Sequence, residues 1–579
     1  MNRKNRMRWI LRGTAAAWCA AGCLGMAQET EAQRTEVLET EIAGKGETIL
    51  ESGKTAAEEH ETEIIISDDG ILVDGEAASE DTEAAVYVGA EIIYYKEGQD
   101  ETYGAGSKKE EHSEKDAARH TVITITKPGT YRVSGTLAAG QIAVDLGEDA
   151  KEDEAAVVNL ILDNADITCE VAPAIIVYHV YECGSDDTEE ATKDVDVTDT
   201  AGFHLILADG STNTVNGSHV AKIYKEGTTA EDIENGEAKK AHKYDAAIES
   251  NMSFSIDAQA EGSGQLTVNA DNEGIETKLH MTINGGTIVV NANDDSINAS
   301  EDGVSVITIN GGTIFCDSGY GDGDEGDGID SNGWIVINDG KITACANARS
   351  QDSGLDSDCG VYINGGTVLA SGHMYDEISA DSAQRFMVLG FQEEVEEGQI
   401  IVLEDTDGAV RSAFCAANDY SIAVYSTPEL VDGDYRLYLA DSVEGDLSGG
   451  IYTNITDCAG KVQLSYTGTQ VGGMGFGGPQ GGREPGGMPD GERPEGIPNG
   501  EKPEGMPDGE KPEGMPDGER PEGVPDGEKP EGMPEGEKPE EMPEISQDGG
   551  FDVTAEPNVV FSVSGLQNFF GRIAAAENI

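Results

Sequence analysis

Basic residues are scarce in this chain of 579 residues, where 37 lysines and arginines face 112 aspartates and glutamates. The formal net charge of −75 argues against binding to bare nucleic acid, because phosphates would be repelled. Aromatic residues make up only 6% of the chain while glycine occurs 75 times, which disfavours a helical bundle and indicates many turns. Nine cysteines are too few for a disulfide scaffold at this length.

Signatures of several common functional classes are also missing. No serine, cysteine or phosphate-loop motif of hydrolases or NTPases stands out, and nine scattered histidines argue against a zinc site. After the N-terminus, no segment reaches the 18 or so consecutive apolar residues that a membrane-spanning helix needs. Any membrane anchor is therefore expected at the N-terminus.

The first 27 residues have the pattern of a secretory signal peptide. A basic start is followed by a short apolar run of small residues from Gly13 to Gly25. Two cleavage sites compete, a lipobox-like Ala20-Ala21-Gly22-Cys23 and a small-x-small site at 25–27. We predict export, either as a cell-surface lipoprotein with the lipid on Cys23 or as a freely secreted protein.

Two interleaved series of repeats predict the fold. TINGGT occurs at 282–287 and 308–313, with VINDGK at 336–341 and YINGGT at 362–367 as close relatives. The second series comprises DAAIES, NEGIET, DDSINA, GDGIDS and DSGLDS, whose apolar centres are Ile248, Ile275, Ile297, Ile329 and Leu355. A shared, irregular period of two to three dozen residues without helical periodicity predicts stacked coils of a parallel β-helix. A β-sandwich is the alternative. The asparagines expected to stack at one corner are Asn284, Asn310, Asn338 and Asn364.

These patterns divide the chain into six predicted parts. They are a signal peptide at 1–27, an acidic spacer at 28–61, a β-helix at 62–380, a C-terminal β region of the same domain at 381–470, a disordered Pro/Gly-rich tail at 471–549 and a segment of unknown role at 550–579. In the tail, proline recurs every nine residues in units such as PDGEKPEGM. Residues 550–579 contain enough apolar side chains to pack against some other part of the chain.

The stacking predicts columns of acidic side chains. The residue after each apolar centre should point outward in one column of neighbouring strands, which lie about 4.8 Å apart. Like charges at that spacing repel by roughly 1 kcal/mol in water and by more inside a protein. An excess of hard oxygen ligands suits Ca²⁺, whereas the alternative is a set of partly solvated turn residues. The predicted calcium ligands are Glu249, Glu276, Asp294, Asp295, Asp327, Asp330, Asp352 and Asp356.

The run from Glu63 to Tyr466 resembles a family of secreted bacterial carbohydrate-binding proteins with a right-handed parallel β-helix similar to that of pectate lyases. The resemblance rests on KPGTYRVSGTLAAGQIAVD (127–145), LILADGSTNTV (205–215), the DGID and INGGT coils, and YSTPELVDGDYRLYL (425–439). It implies bound calcium and binding of plant-type polysaccharides, including polygalacturonate and cellulose, without established catalysis. The insertions at about 95–119, 183–200 and 219–243 depart from the family pattern.

The residues that would contact a polysaccharide are less clearly marked. Trp334, Tyr362 and Tyr320 are candidates for stacking on sugar rings, and the alternative is that they fill gaps in a loop layer. A basic island at 239–243 would either receive uronate carboxylates or form a solvated helix.

A polysaccharide lyase would need a base beside the calcium ladder. Lys278 and then Lys243 are the nearest candidates, although an ion pair with the acidic ladder is the more ordinary role for Lys278. We therefore predict non-catalytic, calcium-dependent binding of an acidic pectic polymer or cellulose by a monomer at the bacterial cell surface. The alternatives are a calcium-dependent lyase acting by β-elimination on uronate polymers and a structural surface adhesin.

Overall fold

The computed structural model of the protein describes residues 60–467, except Asp322, and residues 557–576. The predicted signal peptide with Cys23, nearly all of the acidic spacer, and the proline-rich repeats at 471–549 lie outside the described residues. The seven cysteines of the described part have free thiols. None of the helices in these ranges is long and apolar enough to cross a membrane.

The described part of the chain is almost entirely β-structure, which confirms the predicted all-β class. The strands before the first repeat are β1 (Glu61–Ile66), β2 (Leu72–Val73), β3 (Glu76–Ala77), β4 (Val86–Gly89), β5 (Thr121–Ile125), β6 (Gly129–Leu137), β7 (Gly140–Asp145), β8 (Val158–Thr168), β9 (Ile175–His179), β10 (Phe203–Leu207), β11 (Thr212–Gly217), β12 (Val220–Tyr224) and β13 (Lys240–Tyr244). The strands of the repeats are β14 (Ala246–Ser250), β15 (Phe254–Ala258), β16 (Gln265–Ala270), β17 (Glu273–Thr277), β18 (His280–Ile283), β19 (Thr287–Ala292), β20 (Ile297–Ala299), β21 (Val306–Ile309), β22 (Thr313–Ser318), β23 (Ile329–Ser331), β24 (Trp334–Ile337), β25 (Lys341–Cys345), β26 (Leu355–Ser357), β27 (Gly360–Ile363) and β28 (Thr367–Gly372).

The strands that follow the repeats are β29 (Phe386–Val395), β30 (Ile400–Asp405), β31 (Val410–Phe414), β32 (Tyr420–Ser426), β33 (Gly433–Ala440), β34 (Ser442–Ser448), β35 (Ile451–Ala459), β36 (Val462–Tyr466), β37 (Phe561–Val563) and β38 (Gln567–Ala575). Two short helices, α1 (Glu114–Ala117) and α2 (Ala230–Glu234), and a 3₁₀ turn at Glu148–Glu152 lie in connecting segments.

Each repeat contributes three strands, and strands of successive repeats pair in parallel. The first strand of each repeat joins a nine-stranded sheet in the order β26-β23-β20-β17-β14-β9-β7-β5-β4, in which only the pairing of β4 with β5 is antiparallel. The second strands pair along β15-β18-β21-β24-β27, and the third along β16-β19-β22-β25-β28. Because one side of every strand faces the interior, the apolar centres of the repeats lie in register and buried.

The corner between the second and third strands explains the Asn-Gly-Gly motif. Gly286, Gly312, Gly340 and Gly366 all have positive φ, and a Cβ on Gly366 would lie 2.6 Å from the backbone oxygen of Gly340. Only glycine fits this turn without strain. The predicted asparagine stack is confirmed. From Asn310 to Asn364, the Nδ2 group of each asparagine donates to the side-chain Oδ1 of the asparagine one repeat earlier, at 2.9–3.0 Å, in a ladder that starts at Asn284.

The C-terminal strands complete the β region that follows the repeats. Strand β38 pairs in parallel with β29 and antiparallel with β36, and β37 pairs with β33. Phe561, Phe570 and Ile573 are buried in a core that these strands share with the 386–466 region. Tyr466 and Asn558 exchange two backbone hydrogen bonds of 2.8 and 2.9 Å. The chain therefore leaves this region and re-enters it at adjacent backbone positions, and residues 557–576 pack where the sequence alone could not place them.

Candidate functional site

The predicted carboxylate column lies in register on the outer side of the nine-stranded sheet. Glu249 pairs with Glu276, Glu276 with Asn298, Asn298 with Asp330, and Asp330 with Asp356. The alternation of side chains along a strand sends each apolar centre inward and the next residue outward, as predicted. Outward does not mean solvated, since Glu249 and Glu276 are only 0% and 1% exposed.

Lysines partly neutralise the first half of the column. Lys278 Nζ lies 2.7 Å from Glu276 Oε1 and 3.7 Å from Glu249 Oε1. Lys243, carried by β13, is ion-paired with Asp245. One carboxylate oxygen from each of Asp245, Glu273 and Glu276 lies within 4.8 Å of the others. We call Asp245, Glu249, Glu273 and Glu276 the lysine-paired group.

Two lysines cannot neutralise the negative charge of four carboxylates, and the pKa values of the lysine-paired group are shifted as a result. Burial and the charge of Glu276 raise the pKa of Glu249 well above its ordinary value, and the same causes raise the pKa of Glu273. Burial would also raise the pKa of Glu276, but Lys278 together with hydrogen bonds to Glu249 and Ser300 outweighs it and lowers that pKa. Burial tends to lower the pKa of Lys278, yet the charges of Glu276 and Glu249 outweigh it and raise that pKa. Lys278 is therefore held protonated.

The second half of the column is a larger cluster of aspartates. Backbone N–H groups of Asp327, Ser353 and Gly326 donate to the carboxylates of Asp295, Asp327 and Asp352 at 2.6–2.7 Å. The N–H of Ser357 donates to Asp376 Oδ2 at 2.9 Å. Among the described residues, no lysine or arginine forms an ion pair with any member of the cluster. We call it the aspartate cluster, and its members are Asp294, Asp295, Asp327, Asp330, Asp352, Asp356 and Asp376.

Without a counter-charge, burial and mutual repulsion favour the protonated forms of these aspartates. Burial, followed by neighbouring carboxylates, raises the pKa of Asp294 to about 6, of Asp330 to about 7 and of Asp327 to about 10. Burial and the contact with Asp356 raise the pKa of Asp376 to about 8. At neutral pH the cluster must therefore hold protons or a cation.

Four buried oxygens along the column have no hydrogen-bond partner in the described part of the chain: Glu249 Oε1, Glu276 Oε2, Asn298 Oδ1 and Asp376 Oδ1. Leaving a buried acceptor unsatisfied costs about 1–3 kcal/mol, so such atoms are rare in native proteins. A cation that prefers oxygen ligands would satisfy all four, and a shared proton would satisfy the carboxyl oxygens among them. Carboxylate and amide oxygens in this number fit Ca²⁺.

The aromatic candidates do not form a single surface. Trp334 and Tyr362 lie on neighbouring strands of the same face, because Val336, two residues after Trp334, pairs with Tyr362. Both rings are half-buried, and Lys193 Nζ lies 5.1 Å from the centroid of Tyr362. Tyr320 is 45% exposed and follows the third strand of its repeat, so it belongs to a different corner.

Most of the basic island forms a strand and not the helix of the alternative reading. Lys240, His242 and Lys243 lie on β13, which pairs antiparallel with β12, and α2 ends before them. The helical alternative for 239–243 was wrong, because pairing with β12 and the buried carboxylates beneath β13 decide the local structure. The pKa of Lys240 is lowered by burial and by the charges of Lys278 and Lys243. Within the island, Lys243 thus pairs with a carboxylate of its own chain.

A family of carbohydrate-binding domain-containing proteins matches residues 119–422, which is more than half of the chain and includes every described site residue above. The chain belongs to this family. A carbohydrate-binding domain-containing protein of Acetivibrio thermocellus is 32% identical over 171 residues, which are 29% of this chain and 45% of that protein. The chain thus spans less than half the length of this relative. A solved structure, the polysaccharide lyase-like protein from C. thermocellum as a gadolinium derivative, is 22% identical, with a TM-score of 0.28, covering 53% of this chain and 94% of that one.

Within this carbohydrate-binding domain, three acidic residues of the site are not among the predicted calcium ligands. Asp245 and Glu273 lie three and two residues before their apolar centres, in the same columns as Asp352 and Asp327, so the repeats did carry a signal for them. Asp376 follows the last repeat, so no periodicity pointed to it. Asp322, in the densest acidic stretch, lies outside the described residues.

Replacing Lys278 by methionine should destabilise the domain strongly. The substitution keeps the length of the side chain but leaves Glu249 and Glu276 without their shared cation, and breaking a buried ion pair in this way costs about 3–5 kcal/mol. Urea unfolding of the full chain would measure the loss. Lys222→Met is the matched control, since Lys222 is exposed on β12. Equal unfolding midpoints for the two variants would contradict the pairing role of Lys278.

Proposed function

We propose that this family member binds plant-type polysaccharide without cleaving it, at the bacterial cell surface, and that calcium is required. The observation that carries the proposal is the aspartate cluster, a run of half-buried and buried carboxylates without a paired cation among the described residues, within a carbohydrate-binding domain. The polymer class proposed is an acidic pectic chain or cellulose.

Calcium would be held by oxygens of the aspartate cluster, with Asn298 beside them. The orphaned Asp376 Oδ1 and Asn298 Oδ1 support this assignment, as does the backbone N–H support that already orients Asp295, Asp327 and Asp352. When bound, calcium would supply positive charge at a strongly acidic surface. That charge would let a polymer of uronates approach a protein with a net charge of −75.

The residues available for catalysis favour binding over cleavage. A β-elimination base must be unprotonated when it meets the substrate. Lys278 lies between carboxylates that raise its pKa. Burial lowers the pKa of Lys243, but the ion pair with Asp245 and the charges of nearby glutamates together outweigh burial and raise it. Neither lysine suits the role of a base.

We also propose that the stacked repeats form a right-handed parallel β-helix and that the mature protein is an exported monomer anchored through Cys23. Three parallel ladders, each advancing one strand per repeat, support the β-helix. The basic and apolar pattern of residues 1–27 supports export.

The proposal is tested with the full mature chain, polygalacturonate and cellulose, each with calcium or with EDTA. Retardation in a polygalacturonate gel with calcium, lost with EDTA, is the expected result, together with no ultraviolet-absorbing unsaturated product. Asp327→Asn should weaken the calcium-dependent retardation. Asp339→Asn, at an exposed corner, is its control. Retardation of neither polymer would exclude the binding function, and a growing ultraviolet signal would identify a lyase instead.

A further inference from the structure

The insertion at 183–200 lies across one face of the carbohydrate-binding domain. We call this insertion the strap. The face beneath it, which we call the strapped face, is formed by the outward side chains of β18, β21, β24 and β27. Glu182, at the base of the strap, accepts hydrogen bonds from the backbone N–H groups of Gly184 and Ser253 at 2.7 and 2.8 Å. At its far point Lys193 lies over the ring of Tyr362 on β27.

The returning half of the strap forms hydrogen bonds with the strapped face, one strand after another. Thr308 Oγ1 donates to the backbone oxygen of Val195 at 2.6 Å, and the N–H of Val197 donates to Thr282 Oγ1 at 3.0 Å. The asparagine ladder takes part as well, because Asn310 Nδ2 donates to Asp196 Oδ2 at 3.0 Å. The face therefore already binds an extended chain through hydroxyls and amides spaced by neighbouring strands.

The strap is a cover with little core of its own. Thr282, Thr308 and Val336 point outward from their strands, yet they are only 1%, 2% and 7% exposed. In the strap itself, Val197 is the one buried residue. Segments held by few buried apolar contacts open at low free-energy cost. Seven of the 18 residues of the strap are acidic and one is lysine, so the strap also adds negative charge to a strongly acidic protein.

The chemistry of the strapped face suits an uncharged, hydroxyl-rich chain. Its four strands contain no lysine or arginine. They offer the hydroxyls of Thr282 and Thr308, the rings of Trp334 and Tyr362, and the flanking amide ladder, whose last members Asn338 and Asn364 are exposed. Hydroxyl and amide groups can bind sugar hydroxyls, and an aromatic ring can pack against the apolar side of a sugar.

We propose that the strapped face is a second polysaccharide surface, for an uncharged, hydroxyl-rich chain such as a β-glucan, and that the strap is its intramolecular competitor. The inference rests on the proposed function, and it assigns the two kinds of polysaccharide to two different surfaces. Acidic polymers would bind through calcium at the aspartate cluster, and neutral glucan would bind at the strapped face after displacing the strap. Tyr362 would exchange the ammonium group of Lys193 for a sugar ring.

The test compares the full chain with a variant whose residues 184–199 are replaced by a Gly-Ser segment of equal length. The variant should bind a soluble β-glucan at least about tenfold more tightly, with an unchanged melting temperature and unchanged calcium-dependent retardation by polygalacturonate. Adding Tyr362→Ala to the variant should abolish the gain. Equal glucan affinity of the two proteins would overturn the inference. So would glucan binding by neither, and in that case retained polygalacturonate retardation would leave the proposed function standing.

If replacing the strap prevents folding, the unmodified chain can still show whether glucan displaces the strap. Hydrogen–deuterium exchange with saturating soluble β-glucan should increase exchange in residues 183–200 and decrease it in β24 and β27. Unchanged exchange in the strap at saturating glucan would overturn the competitor role. Loss of polygalacturonate retardation in this same protein would contradict the proposed function separately.

Discussion

Stripping calcium from the full chain should lower its melting temperature by several degrees, and returning calcium should restore it. The aspartate cluster brings seven carboxylates together, one of them buried and six half-buried, without a paired lysine or arginine in the described part of the chain. A cation at 100 times its dissociation constant stabilises the folded state by about 2.7 kcal/mol per site. Calcium ions at more than one position along the column would add to this. Thermal unfolding monitored by circular dichroism, with EDTA and then with excess calcium, measures the shift.

Two matched variants make the calcium result specific. Asp327→Asn replaces a carboxyl group that is protonated in the chelated protein by a neutral amide that cannot become a carboxylate ligand, so it should reduce the response of the melting temperature to calcium while leaving the melting temperature of the chelated protein nearly unchanged. Asp339→Asn makes the same chemical change at an exposed corner, where Asp339 Oδ1 accepts the N–H of Gly340 at 2.8 Å. It should leave both values unchanged. A melting temperature indifferent to EDTA in the unmodified chain would refute the cation role of the cluster.

The stability of the calcium-free protein should fall as the pH rises. Asp294 and Asp330 have folded pKa values of about 6 and about 7, above the ordinary value of 3.8. Between the ordinary pKa and the folded pKa of each group, the folded state therefore binds more protons than the unfolded state. Their contribution to stability is therefore present in full below about pH 4 and is lost as the pH rises towards 7. Calcium should abolish this decline, because it replaces the protons.

Periodicity was a reliable guide to everything that repeats. Register follows from periodicity because each strand pairs with its equivalent one repeat later. The sequence alone therefore predicts one column for the residues that follow the apolar centres, and the structure has it: Glu249, Glu276, Asn298, Asp330 and Asp356. Periodicity also predicted the asparagine ladder, since identical positions of parallel strands are neighbours. The repeat pattern determines how the backbones pair and on which side of its strand each side chain lies. It does not determine which other segments cover that side.

The features that sequence reasoning missed come from segments outside the repeats. Lys243 reaches Asp245 from an insertion, and its strand forms only because β12 pairs with it. The strap buries Thr282 and Thr308, which a repeat pattern would leave exposed. Such contacts depend on long-range packing between unlike segments, and no local pattern encodes them. The burial of Glu249 and Glu276, and with it the raised pKa of Glu249, could therefore not be foreseen.

Truncation of the C-terminal segment should have the other large effect on stability. Residues 557–576 contribute Phe561, Phe570 and Ile573 to the core of the region at 386–466, each no more than 3% exposed. Phe570→Ala alone should cost about 3–5 kcal/mol, because it removes a buried ring and leaves a cavity. Deleting 557–579 should exceed that loss. Urea unfolding followed by tyrosine fluorescence measures it, with Leu566→Ala, at an exposed position, as the control.

The same packing makes a prediction about cleavage within the proline-rich repeats. Because Tyr466 and Asn558 are hydrogen-bonded neighbours, a cut between them in sequence severs the chain without removing any contact of β37 or β38. A protease site inserted at 510 should therefore yield two pieces that elute together from a sizing column and separate only in denaturant. Phe570→Ala should promote their separation, whereas Leu566→Ala should not. Dissociation of the cleaved unmodified chain in native buffer would mean that β38 is held mainly by its tether and not by its core contacts.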